Sequence, residues 1–159
     1  MNQTSDIPDI SAVLGEVMQT VDPGDRPLLL AALERLASQR YRGWANEHPD
    51  EAVKRGLGEC ADREEEIAHR VESVFAGAAE VQQRLLADNP NLEELNRTLF
   101  EGRPLEVQFA MQAQGERAGA GAWASFAALS NDERVKTMLE SCSPLEEANA
   151  EFLETLIRR

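Results

Sequence analysis

The feature that most constrains this chain is that its middle is written twice. Displacing the sequence onto itself so that Cys60 meets Cys142 also brings Glu64 onto Glu146, Glu65 onto Glu147 and Ala68 onto Ala150. The echo runs without a gap from residues 28–77 onto 110–159. It pairs Glu34 with Glu116, Arg35 with Arg117, Asp50 with Asp132, Leu57 with Leu139 and Glu72 with Glu154. In all, 14 of the 50 aligned positions are identical, whereas unrelated chains match at about one position in fifteen to twenty. Self-similarity at a fixed offset points to a fold assembled from two like units.

The periodicity inside each unit is helical. Leu30, Leu33, Ala37, Tyr41, Trp44 and Ala45 form an apolar stripe from about residue 26 to Glu47, where His48-Pro49 stops it. Asp25 is the expected cap of that helix, with Pro27 in its first turn. Asp50 caps a third helix carried to about Ala87, with Leu57, Ala61, Glu64, Ala68, Val71 and Phe75 on one face. Gly56 and Gly58 weaken its early turns. A short helix is expected from Asn91 to Phe100, and a long one from Pro104 to Leu129 carrying Phe109, Ala113, Glu116, Trp123, Phe126 and Ala127. Gly115, Gly119 and Gly121 there are expected to permit close helix contact. A last helix, capped within Ser130-Asn131-Asp132, should be kinked or split at Pro144, with Ser143 capping the second piece. Arg158 and Arg159 suit its C-terminal end. Residues 1–8 read as a polar arm. Ile10, Val13, Leu14, Val17, Met18 and Val21 make a short amphipathic helix that should lie on the bundle or on a partner. No strand pattern is present. The chain therefore divides into an N-terminal arm and helix over 1–25 and an all-α bundle over 26–159. The bundle consists of two helical hairpins joined by a long crossover.

The two hairpins carry matching acids. Glu34 and Glu64 lie on the inward stripes of the first, and Glu116 and Glu146 are their copies in the second. Packing the copies about a pseudo-twofold axis brings four carboxylates together in the middle of the bundle. Unpaired buried carboxylates cost several kcal/mol each. They must therefore bind cations, share protons or pair with base, and oxygen ligands around a metal ion satisfy that need most simply.

With its Glu34-to-Tyr41 and Glu116-to-Trp123 spacings, and with Glu64 and Glu146 on the partner helices, the chain resembles the ferritin-like superfamily, most closely the rubrerythrin type. That resemblance covers about residues 26–159. It implies an antiparallel four-helix bundle in which each hairpin gives a Glu and a Glu-x-x-His to a di-iron site. It also implies dimerisation and iron-dependent or manganese-dependent oxidation or peroxide reduction. The implied metal ligands are Glu34, Glu64, Glu116 and Glu146, with Asn149 as a weak accessory. The departure is that both histidines are replaced, by Ile67 and Asn149. Glu66-Ile67-Ala68-His69 spells the missing motif, but Glu66 and His69 lie about 200° and 140° around the helix from Glu64. They are expected to be a solvated surface pair.

Other classes are set against this reading. A formal net charge of −13 argues against binding nucleic acid or anionic membranes. No apolar run approaches the roughly 20 residues of a membrane span, and the N-terminus lacks the pattern of a signal peptide; a cytoplasmic protein is expected. Cys60 and Cys142 are expected to be small buried thiols, placed too far apart along the bundle to bridge. Tyr41, Trp44, Trp123 and Phe126 read as core. Arg35 and Arg117 are candidates to neutralise the carboxylates if no metal binds. The competing function is a non-catalytic binding or assembly module with a vestigial site. A third reading is an apolar small-molecule pocket opened where Ile67 replaces a ligand and Pro144 kinks the helix.

Overall fold

The computed structural model describes residues 7–158; the start of the expected polar arm and Arg159 lie outside the described residues. Every regular element among the described residues is helical. Besides a 3-10 turn at Pro23–Asp25, they are in chain order α1 (Ile10–Gln19), α2 (Arg26–Glu47), α3 (Glu51–Ser73), α4 (Ala78–Asp88), α5 (Leu92–Phe100), α6 (Leu105–Leu129), α7 (Glu133–Glu140) and α8 (Ser143–Ile157).

The helix starts show the duplication at atomic detail. Asp50 accepts from the N–H groups of Ala52 and Val53, and its copy Asp132 accepts from those of Arg134 and Val135. Each satisfies amides that have no partner inside the helix. Arg35 pairs with Glu72, and their copies Arg117 and Glu154 pair at 3.0 Å. Tyr41 meets Trp44 edge-on, as Trp123 meets Phe126.

Several boundaries differ from the sequence expectation. The third helix stops at Ser73 rather than near Ala87, because Gly77 takes a left-handed φ of 66° before α4 begins, a conformation a residue without Cβ adopts freely. Phe75, Ala78, Val81 and Leu85 carry the apolar pattern across the break and pack on one core cluster. That continuity hides the turn from a periodicity reading. The last helix splits at Ser141-Cys142. Ser143 is not a cap; its hydroxyl donates to the Ala120 carbonyl at 2.8 Å and ties α8 to α6. Asp25 and Asn91 also make no side-chain cap. Asp25 sits in a 3-10 turn and pairs instead with Arg84 at 2.8 Å.

Packing follows from the stripes. Arg35 reaches Glu72, Ser38 reaches Glu65 and Arg42 reaches Asp62, so α2 and α3 run antiparallel. Arg117 reaches Glu154 and Trp123 reaches Glu146, so α6 and α8 do likewise. The two pairs meet through α3 against α7 and α8. They also meet through side chains between α2 and α6: Trp44 donates to Gln108 at 3.0 Å and lies 5.1 Å from the Phe109 ring. Two apolar clusters result. Leu28, Leu29, Leu33, Ile67, Val71, Trp123, Ala127 and Leu139 belong to one. Tyr41, Trp44, Leu57, Phe109, Met111 and Leu153 belong to the other. Each fully buried Leu contributes about 1.5–3 kcal/mol. On each of α2, α3, α6 and α8 the central glutamate falls between a residue of the first cluster and one of the second, so the acids form a polar layer between two apolar ones.

Helix α1 lies on α6, with Ile10 buried and its Cγ2 methyl 3.6 Å from where a Cβ on Gly115 would stand. Its end is tied to α2 by Arg26, whose Nε donates to the carbonyls of Met18 at 2.9 Å and Val21 at 3.2 Å.

Candidate metal centre

The inward stripes deliver all four acids to the interior: Glu34 is 7 % exposed, Glu64 0 %, Glu116 1 % and Glu146 1 %. Glu34, Glu64 and Glu146 each present a carboxylate oxygen, and these atoms lie within 4.8 Å of one another. A set of three such oxygens can hold a metal ion. Glu34 sits within hydrogen-bond reach of both Glu64 and Glu146. Two carboxyl groups that close need a proton or a cation between them. Burial is the main reason that Glu34, Glu64 and Glu146 all take up protons above the ordinary glutamate range. For Glu64 and Glu146 the neighbouring carboxylates push in the same direction.

Each acid is also held from behind. The Asn149 amide donates to Glu64 Oε1 at 2.6 Å. The Trp123 indole donates to Glu146 Oε1 at 2.8 Å. Tyr41 Oη and Gln112 Nε2 both donate to Glu116 Oε1, at 2.6 and 2.7 Å. Gly119 makes room for Glu146: a Cβ there would lie 2.6 Å from Oε1. One atom of each of two acids is left over. Glu64 Oε2 and Glu116 Oε2 are buried with no hydrogen-bond partner. Oxygen-only donors with unused lone pairs suit a hard or intermediate divalent cation, so the residues present fit a metal.

Of the sequence candidates, the structure brings Glu34, Glu64 and Glu146 into the cluster and sets Glu116 beside it. Asn149 is fully buried there, but its oxygen accepts from Arg63 at 3.2 Å while its N–H group faces Glu64. It therefore positions a carboxylate rather than offering an oxygen. Ile67 is buried in the apolar layer. Glu66 and His69 are exposed, and Glu66 pairs with Arg70 at 2.8 Å. Arg35 and Arg117 do not neutralise the site, since both are taken by their surface partners Glu72 and Glu154. Cys60 and Cys142 are free and buried in different clusters. Burial pushes each thiol up to about 12, which leaves almost no thiolate at neutral pH.

Sequence reading missed four contributors. Tyr41 and Trp123 read as core, yet their polar tips orient Glu116 and Glu146; seven-residue spacing from Glu34 and Glu116 was the available signal. Gln112, one turn before Glu116, was missed. Arg40 was missed too: it donates to Gln112 and to Asn96, and its guanidinium stacks 3.8 Å from the Phe100 ring centre. Burial lowers its pKa to about 10, so it stays charged at neutral pH.

A cavity of about 300 Å³ opens on the acids. The pocket expected at Ile67 and Pro144 is not where the space lies, because Ile67 is packed solid. The cavity lies between α2 and α6 beneath α1, and Glu34, Glu116 and Glu146 line it. Among the described residues no helix is long and apolar enough to cross a membrane. No protein-family model, no curated protein and no solved structure matches this chain.

Proposed function

We propose that this chain is a divergent ferritin-like protein that holds iron or manganese on its buried carboxylates for redox chemistry. The observation that carries the reading is Glu64 Oε2, an acceptor sealed from solvent and left without a partner beside Glu34 and Glu146. An orphaned buried polar atom costs about 1–3 kcal/mol or more, and a metal ion removes that cost. The resemblance of the duplicated sequence to the rubrerythrin type supports the choice of metal.

Glu34, Glu64 and Glu146 would hold the ion, with Glu116 next to them. A bound iron or manganese supplies one-electron chemistry toward dioxygen or peroxide. The chain's own residues do the rest. Tyr41, Trp123 and Asn149 fix the carboxylates, since donors behind the ligands set their orientation. The two apolar clusters keep bulk water out.

The test is metal analysis of protein loaded with Fe²⁺ or Mn²⁺, together with its melting temperature. A ligand that binds only the folded state stabilises it by about 2.7 kcal/mol at a hundredfold excess over Kd, so bound metal must raise Tm. Metal far below one ion per chain, with Tm unmoved, overturns the reading.

One observation favours a second reading, a non-catalytic module with a vestigial site. Glu34 already lies within hydrogen-bond reach of Glu64 and Glu146, so shared protons can neutralise the cluster without metal. In that case Glu64→Gln leaves the ion content of the protein unchanged; under the metal reading it removes the ion.

A further inference from the structure

The cavity beneath α1 is an apolar chamber whose polar neighbours are already engaged. Ile10, Leu14 and Met18 of α1 roof it, and Leu33 of α2 with Ala122 and Phe126 of α6 form its sides. Glu34, Glu116 and Glu146 close its inner end, but these carboxyls are bonded among themselves. Glu34 is hydrogen-bonded with Glu64 and Glu146, and Glu146 with Glu116. Glu116 Oε2, which has no partner, is sealed from solvent and so is out of reach from the chamber. Arg40 commits its terminal nitrogens to Gln112 and Asn96 and its face to Phe100, and the Gln112 amide is held between Arg40 and Glu116. Ser11, the remaining polar side chain of the lining, is exposed to solvent.

We propose that this chamber binds a compact, uncharged apolar molecule of about ten carbons. The size follows from the space. An apolar cavity of about 150 Å³ takes a benzene ring, and the chamber, at about 300 Å³, has room for two fused rings. The class follows from the lining. A buried water needs about two to four polar partners, and the groups that could supply them are committed elsewhere. A charged head group would give up its hydration without gaining a partner. A carboxylate would also meet like charge, and an ammonium would have to break the bonds between the carboxyls. An apolar body meets neither obstacle. Leu14, Met18, Ala122 and Phe126 are only partly buried, and a filled chamber completes their burial, which is the favourable term in apolar binding. The metal triad includes Glu64, which does not line the chamber, so this site does not depend on the metal reading.

The experiment titrates the full chain with naphthalene, 2-naphthoate and 2-naphthylmethylammonium, followed by their fluorescence. It is run with and without chelator, and metal content is measured in the same samples. Naphthalene is expected to bind at one site per chain, at least tenfold more tightly than either charged relative, with the order kept after chelation. Ala122→Phe fills the chamber and leaves every charge and the outer surface in place. It is expected to lower naphthalene affinity at least tenfold with helicity unchanged. Ala118→Leu narrows the same chamber from α6 and carries the test should Ala122→Phe not fold. A charged relative binding as tightly as naphthalene overturns the proposal, as does unchanged affinity in a folded filled variant or no binding of naphthalene at all. Metal content decides the metal reading alone, so each can fail without the other.

Discussion

Glu64 is fully buried, has the Asn149 amide on one oxygen and nothing on the other, and faces three further carboxyl groups. In the metal-free protein it becomes a liability once its proton is lost, because burial and the neighbouring carboxylates disfavour the charge. Glu64→Gln keeps the shape and an acceptor for Asn149 while removing that charge. A buried charge without a compensating partner is costly, and the amide carries no charge. The metal-free variant at pH 8 should therefore be more stable than the native chain in urea unfolding. In the presence of Fe²⁺ or Mn²⁺ the order should invert, because only the native chain gains from the ion. A variant less stable than the native chain without metal would show that the carboxylate contributes to the fold in its own right.

Three glycines make opposite predictions from one helix propensity. Gly121 of α6 has open space where a Cβ would stand, so Gly121→Ala should stabilise by about 0.5–1 kcal/mol, the ordinary gain over glycine. Gly119, two residues earlier, should gain nothing: its Cβ would lie 2.6 Å from Oε1 and 2.8 Å from the carboxyl carbon of Glu146, which Trp123 holds in place. Gly119→Ala should displace that carboxylate and weaken metal binding at least tenfold. A Cβ built on Gly56 of α3 would fall well inside contact distance of the Phe152 ring in α8. Gly56→Ala should cost about 1–3 kcal/mol through overpacking. Urea unfolding of the three variants, with metal titration of the second, checks the set; a gain of stability at Gly56 would mean that α3 and α8 are farther apart there.

Across the whole molecule, two sets of carboxyls pull stability in opposite directions with pH. Glu34, Glu64 and Glu146 have raised folded-state pKa values. Their contribution is therefore complete below the unfolded value, about 4.3, and is lost as pH rises through the folded ones. Glu72 and Glu154 are lowered. For Glu72 burial acts the other way but is outweighed by hydrogen bonds from Arg35 and Gln82; for Glu154 the hydrogen bond from Arg117 leads. Their contribution is present above about 4.3 and is lost as pH falls through the folded values. A net charge of −13 adds self-repulsion as pH climbs. The metal-free protein should thus melt highest in mildly acidic solution, near pH 5, and lower at pH 8. Metal should flatten the slope, since it takes the place of the protons. A Tm that rises from pH 5 to 8 without metal would contradict the buried cluster.

Much of this was written in the chain. The inward stripes place Glu34, Glu64, Glu116 and Glu146 among apolar residues, and a duplicated sequence demands that copies fall in equivalent places. Helical periodicity and repetition thus put four acids indoors before any coordinate was known, because both follow from local geometry alone. Periodicity could not see the turn at Gly77, since the apolar pattern on either side of it continues. Nor could it show that Asn149 gives Glu64 its N–H rather than its oxygen, that Arg35 and Arg117 are spent on the surface, or that the empty space lies under α1 instead of behind Ile67. Those depend on which side chains from distant segments meet and at what distance, and sequence spacing carries no information about the gap between two helices. The sequence by itself determined which groups are buried; the tertiary structure decided which atom of each is left without a partner, and that is where a ligand can bind.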